Sequence, residues 1–397
     1  MINYQLSINL SMDNNLELVR IIGDRIESSP RRQITFAEYM DLALYHPQHG
    51  YYASNAERIS ESGDFLTSPH LADDFGEMLA TQLEQIWQIL GEPQLFSIVE
   101  MGAGRGLLAA QILAYAQREY PDFCRSIDYI IIETAPAMIL AQQARLKDLP
   151  VRWCDWAEIP DRSINGCFLS NELIDAFPVH QVVKIEDKLQ EVYVTLGDRD
   201  LVLTEKIDEL STDKLERYWQ LNQIDLLGDR YPDKYRTEVN LAALAWLDLV
   251  FKKLQRGYII SIDYGYTADR YYNPMRSQGT LQCYYQHAHH NDPYLNIGNQ
   301  DLTAHVDFTA LQNYGELLGL HTVGFTQQGM FLMALGLGER IAAISSSGGD
   351  IQSLLQRRQN LHQLIDPMGL GKFGVSIQSQ GLTPEERDKS LTGLSLG

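Results

Sequence analysis

Val99-Glu100-Met101-Gly102-Ala103-Gly104-Arg105-Gly106 is the stretch on which the fold turns. The apolar run Phe96-Ser97-Ile98-Val99 precedes it, and helical spacing from Leu107 to Arg118 follows. A short strand, a glycine turn and a helix are therefore expected in that order. Alternating glycines let the backbone turn tightly and let a ligand lie against it with no Cβ in the way. Dinucleotide-binding turns space their glycines G-x-G-x-x-G. Here the spacing is G-x-G-x-G, with an acid, Glu100, ahead of it.

The alternation continues outward. Upstream, Phe75, Met78, Leu79, Leu83, Ile86 and Leu90 fall on one helical face. Before that, Leu16 to Ile26 reads as a short helix, and Thr35 with Glu38 marks a helix start that runs to Pro47. Downstream come a strand at 129–133, a helix at 137–147, and strands at 151–153 and 166–171. Such spacing indicates βαβ units and a parallel sheet. A hairpin is expected over 182–203, a helix near 212–221, a helix from Glu238 to Gln255 closed by Gly257, and a strand from Tyr258 to Asp263. Residues 264–316 show little periodicity. Strands are expected at 321–327, 331–335 and 372–380 around a helix at 351–364. The plan divides as 1–76, a leading segment with a lid; 77–180, the first part of the core; 181–235, an inserted cap; 236–263, core; 264–316, a second insertion; and 317–397, core.

An acid at a strand end before open glycines suits a ligand with a cationic amino group better than a diphosphate. S-adenosylmethionine carries such an amine and a sulfonium centre. Glu133 ends the next strand, where an acid can bind ribose hydroxyls in a wound sheet. A ligand-free glycine turn and a solvent-facing Glu133 are the plainer alternatives, and NAD fits the glycine spacing poorly. Ser170-Asn171-Glu172-Leu173-Ile174-Asp175 follows the fourth strand, so Asn171, Glu172 and Asp175 can point into one cleft. Carboxylates there can pair with a guanidinium through two hydrogen bonds; capping of the next turn by Asn171 or Asp175 is the alternative. Asp64, Thr67 and Ser68 suit a polar lid, or a simple turn between Gly63 and Pro69. His305 and Asp307, two apart, can face one side of an extended segment. Tyr264, Tyr266, Tyr284 and Tyr285 can wall a cation site or simply pack.

Lys and Arg number 32 against 52 Asp and Glu, a net charge of −20. No basic stripe offsets it, so nucleic acid is a poor partner and a cationic protein a better one. The four cysteines form no CxxC pair and no metal-ligand spacing, so no metal is expected. No apolar run is long enough to span a bilayer. The early acids Asp13, Glu17, Asp24 and Glu27 argue against a secretory or transit segment, and a cytoplasmic protein is expected.

These motifs resemble those of the MidA family, whose mitochondrial members are the complex I assembly factor 7 type of protein arginine methyltransferase. The resemblance runs over 34–380. It is carried by His46-Pro47 with Gly50-Tyr51-Tyr52, by Gly63-Asp64-Phe65-Leu66-Thr67-Ser68-Pro69, by Glu100 to Gly106, and by Ser170-Asn171-Glu172 with Asp175 and Pro178-Val179-His180. Ile262-Asp263-Tyr264-Gly265, Gly279-Thr280-Leu281 and Asp301 to Phe308 extend it. Ala103, Leu107 and His70 depart from the family pattern. The resemblance implies an α/β class I (Rossmann-like) S-adenosyl-L-methionine-dependent methyltransferase core with inserted cap segments. Glu100, Gly102, Gly104, Gly106, Glu133, Asp64, Thr67 and Ser68 would bind cofactor, and Glu172, Asp175, Asn171 and His305 would serve catalysis. The acceptor implied is an accessible arginine of a protein such as a respiratory complex I type subunit. Methylation of a small molecule or another residue type, and a cofactor-binding assembly chaperone, are the rival readings. Oligomeric state is not legible.

Overall fold

The computed structural model describes residues 13–54, 67–197, 202–286, 288–344 and 350–396. The chain forms two compact units. One comprises Met1–Phe65, Ala176–Ala242 and Ala268–His305; the other, the core unit, comprises Leu66–Asp175, Ala243–Thr267 and Val306–Gly397.

The core unit is built on seven strands: β1 Phe96–Met101, β2 Ile127–Ile132, β3 Val151–Trp153, β4 Ile164–Asn171, β5 Leu254–Asp263, β6 His321–Gln327 and β7 Gly374–Gln380. Their spatial order is β6-β7-β5-β4-β1-β2-β3. β1 to β5 pair in parallel, and β7 enters antiparallel between β5 and β6. The order reverses between β1 and β4, which makes the crevice beyond their carboxyl ends the place for a ligand. Register aligns those ends: Met101 faces Ser170 on one side and Ile132 on the other, and Asn171 faces Ile262.

β1, between two parallel neighbours, is buried at every position, as a fully covered parallel strand must be. One continuous core joins Phe96, Ile98, Tyr129, Ile131, Leu169 and Ile260 of the sheet to Phe75, Leu79 and Leu83 of helix Asp74–Ile89 and to Ile112 of helix Leu107–Glu119.

Three elements differ from expectation. Arg236–Val239 is a strand, the helix begins at Leu241, and β5 begins at Leu254. Gly257 is no helix stop: it pairs with Gly166 of β4, and a Cβ on it would lie 1.9 Å from the Gly166 carbonyl oxygen. Gln328–Ala334 is helical, with Phe331 and Leu332 both buried; a short apolar run does not by itself distinguish helix from strand. Phe308–Leu318 is a helix within the segment read as aperiodic. Asp307 caps it by accepting from the Ala310 amide at 3.1 Å, and Gly319 ends it in a left-handed conformation.

The other unit, taken by itself, has a five-stranded antiparallel sheet in which Lys188–Leu196 pairs with Ile34–Thr35, His180–Ile185 and Leu203–Asp208. Helices Leu16–Ser28 and Phe36–Tyr45 contribute Leu18, Ile22, Phe36 and Tyr39 to its core. Thr35 caps the second helix by accepting from the Glu38 amide at 3.1 Å, as expected. A smaller sheet sets Gln282–Tyr285 between Ala288–His290 and Asp301–Thr303. No helix among the described residues is long and apolar enough to cross a membrane.

Candidate active site

β1 ends at Met101, and the chain turns through Gly102, Gly104 and Gly106 at φ values of +67°, +51° and +73°. These are left-handed conformations that a residue with a Cβ enters at a cost. Gly102 and Gly104 are exposed, and a Cβ on Gly104 would meet no heavy atom of the described residues within 4 Å. The space in front of Gly104 is thus open. Gly106 starts helix Leu107–Glu119 without a capping side chain, so that helix presents bare amides at the turn.

Glu100 is the next-to-last residue of β1, just ahead of the glycine turn. It is 3% exposed, and its Oε2 accepts from Tyr129 Oη at 2.8 Å. Burial pushes its carboxyl up to about 7, against the opposing pull of the tyrosine hydrogen bond.

Glu133 follows β2 directly. Its Oε1 accepts from the amides of Thr134 and Ala135 at 2.8 and 3.0 Å, and its Oε2 accepts from Gln142 Nε2 at 3.2 Å. The same Gln142 nitrogen donates to the Gly104 carbonyl at 2.8 Å, and Gln142 Oε1 accepts from Trp153 Nε1 at 2.8 Å. Gln142 is fully buried in helix Pro136–Arg145, so one amide ties the glycine turn, the strand-end acid and β3 together. The sequence reading passed over Gln142, because nothing in a helix pattern marks one glutamine as the link between two strand ends.

At the end of β4, Glu172 takes φ +52°. Its amide donates to the Ile262 carbonyl at 2.9 Å, and its Oε1 accepts from Asn171 Nδ2 at 3.1 Å and from the Ser68 amide at 3.4 Å. Burial first, and then the neighbouring Asp263 charge, push the Glu172 carboxyl up to about 7. Asp263 ends β5. Its Oδ2 accepts from the amides of Leu173, Ile174 and Asp175 at 3.1, 2.7 and 3.3 Å, and its Oδ1 accepts from the Tyr264 amide at 2.7 Å. The structure therefore brings Asn171 and Ser68 to Glu172, and the Asp175 amide to Asp263, an acid read from sequence only as part of a family signature.

Ser68 is buried and donates from Oγ to Gln328 Oε1 at 3.1 Å. Thr67 Oγ1 lies 2.6 Å from His70 Nδ1, and burial, with Arg145 and Arg105 nearby, holds that imidazole below its usual range. Asp64 lies outside the described residues. His305 belongs to the other unit, where its amide donates to Thr280 Oγ1 at 3.2 Å and Thr280 is in turn bound by buried Glu238. Asp307, in the core unit, serves as a helix cap. The four tyrosines also divide: Tyr264 carries Lys372 Nζ 4.6 Å from its ring centroid in the core unit, whereas Tyr284 and Tyr285 belong to the other unit.

Residues 78–326 match the model of the family described as S-adenosyl-L-methionine-dependent methyltransferase. The chain belongs to this family. The resemblance to MidA proteins and the Rossmann-like α/β class read from the sequence both hold. A solved structure of a COG1565 superfamily member from Burkholderia thailandensis, bound to S-adenosyl-homocysteine, is 29% identical with a TM-score of 0.83, covering 96% of this chain and 95% of that one. A native structure from the same superfamily and organism is 31% identical with a TM-score of 0.81 and the same coverage. A Drosophila melanogaster relative named "Protein arginine methyltransferase NDUFAF7 homolog, mitochondrial" is 28% identical over 384 residues, 90% of this chain and 84% of its own. A Rattus norvegicus relative named "Protein arginine methyltransferase NDUFAF7, mitochondrial" is 26% identical over 89% of this chain and 82% of its own.

The family's cofactor is S-adenosyl-L-methionine, and the core unit fits it. The room before Gly104, the bare helix start after Gly106 and the Glu133 carboxylate suit an adenosine bearing an amino acid tail. The cytoplasmic expectation is corrected by these relatives, which match about nine-tenths of the chain and are named as mitochondrial proteins. It rests on the acids of one early segment, and the charge of one segment does not fix where a folded protein works.

Proposed function

We propose that this methyltransferase modifies arginine side chains of a protein, with Glu172 as the group that holds the acceptor. The observation that carries this reading is the Glu172 carboxylate at the end of β4, held by Asn171 and Ser68 and pushed up to about 7. Such a carboxylate can bind a guanidinium by paired hydrogen bonds and take the proton that the alkylated nitrogen sheds. Asn171 orients it through a 3.1 Å hydrogen bond, and Asp175, two residues past Leu173 on the same turn, would act on the acceptor rather than on Glu172. The backbone of Gly102, Gly104 and Gly106 would hold the cofactor's tail and Glu133 its ribose, while Thr67 and Ser68 border the acceptor side. The cofactor, when bound, supplies an electrophilic methyl group on sulfonium; alignment of the acceptor nitrogen is then the protein's main task. The names of the Drosophila and rat relatives support arginine as the acceptor, and the MidA resemblance suggests a respiratory complex I type subunit as the protein.

The test is transfer from labelled S-adenosyl-L-methionine to an arginine-containing protein substrate, followed by mass spectrometry of the product. Glu172→Gln should keep S-adenosylhomocysteine affinity and lower transfer by roughly 10²-fold. Label on lysine or on a small molecule, or normal turnover of the variant, would overturn the reading.

A further inference from the structure

The turn after β4 is short and left-handed at its first residue, and an acid from the neighbouring strand binds its backbone. β4 and β5 run parallel with Asn171 opposite Ile262, so the next residue of β5, Asp263, arrives beneath the turn. Its side chain is fully buried, and one of its oxygens gathers three consecutive amides, those of Leu173, Ile174 and Asp175, while the other accepts from Tyr264. Successive amides converging on one anion form a nest. Glutamate enters a left-handed conformation only where its surroundings fix it, and here the residues just after it are so fixed.

We propose that Asp263 is a positioning residue of the transfer reaction, its carboxylate anchoring the 173–175 turn so that Glu172 meets the acceptor in one geometry. This rests on Glu172 as the acceptor-binding group. Among the described residues, Asp263 is the charged group that acts on Glu172; Ser68 N from the preceding segment and Asn171 Nδ2 from β4 face it as neutral donors. The like charge of Asp263 works with burial to raise the Glu172 carboxyl. Neutralising Asp263 therefore lets Glu172 ionise at lower pH. It also turns an amide nitrogen toward backbone donors on one side.

Asp263→Asn should retain S-adenosylhomocysteine affinity within about twofold and lower turnover by about tenfold or more. The acidic limb of its kcat/KM profile should move to lower pH, a change that a merely structural residue would not produce. Wild-type turnover and an unmoved limb in D263N, alongside an impaired E172Q, would overturn this proposal alone. Normal turnover in E172Q would instead overturn the acceptor reading beneath it. Should D263N fail to fold, D263E decides: it keeps the charge and both acceptor oxygens but shifts them by a methylene. Reduced turnover with intact cofactor affinity supports positioning. Wild-type turnover, or cofactor affinity lost in step with turnover, rules it out.

Discussion

Tyr129 Oη reaches Glu100 Oε2 at 2.8 Å between two parallel strands, in the interior of the core unit. An acid at that depth makes the stability of the protein depend on pH in a direction opposite to that of a salt-bridged carboxylate. The folded-state value of Glu100, about 7, lies above its ordinary 4.5. Below the lower value both states are protonated and the contribution is fully present. As pH rises through the window the unfolded chain releases its proton first, and stability falls until the folded value is passed.

From pH 4.5 to pH 7, Glu100 should therefore cost about 3 kcal/mol of stability. Glu172 and Asp263 act in the same direction, so the comparison is with Glu100→Gln, which keeps an acceptor for Tyr129. Urea unfolding at pH 5 and pH 8 should show a smaller decline in the variant. Equal declines would place the Glu100 carboxyl in its ordinary range.

Gly104→Val should lose cofactor binding. The new side chain would occupy the open space before the turn, and a β-branched residue at φ +51° would add strain of about 1–3 kcal/mol. Isothermal calorimetry with S-adenosylhomocysteine should show affinity reduced by about 100-fold or more, while a cooperative melt persists. Wild-type affinity would remove the turn from the cofactor site.

Gln142→Ala leaves the Gly104 carbonyl and the Trp153 indole without the Gln142 amide and removes one of the donors to Glu133. Destabilisation of about 1–3 kcal/mol is expected, together with weaker cofactor binding. Gln142→Glu should be worse, since its carboxylate would face that of Glu133. Denaturant midpoints and calorimetry on the two variants check both effects; an alanine variant with unchanged midpoint and affinity would show the link to be dispensable.

Much of the core was legible because its signals are local. Ile130-Ile131-Ile132 and Phe168-Leu169 read as strands from apolar runs of the right length, and the glycine turn between β1 and its helix needs no distant partner. What escaped was set by neighbours far off in sequence. Glu238 looked helical beside the alanine- and leucine-rich run that follows it, yet its carboxylate is buried and binds Thr280. Gly257 looked like a helix stop, although its small size serves contact with Gly166. Asp307 reads as sharing a face with His305, whereas its use as a cap depends on the helix Phe308–Leu318, which the sequence reading does not place. Asp263 carries no local sign of its role, since only the β4–β5 register brings it to the turn that follows Glu172.

NAD should show no measurable binding where S-adenosyl-L-methionine and S-adenosylhomocysteine bind. The G-x-G-x-G turn lacks the spacing that seats a pyrophosphate on the helix start. Calorimetric titration with each compound checks this, and NAD binding with similar affinity would contradict it.

The antiparallel entry of β7 between β5 and β6 has a consequence for biosynthesis. Gly257 must wait for Gln380, and Asp263 for Gly374, before that side of β5 is paired. A growing chain on the ribosome therefore carries a hydrophobic strand with one open flank until the residues of β7 have been added. Open flanks recruit other chains. A chain truncated before Gly374 would have every glycine of the cofactor turn and still lack the strand that covers this flank of its sheet.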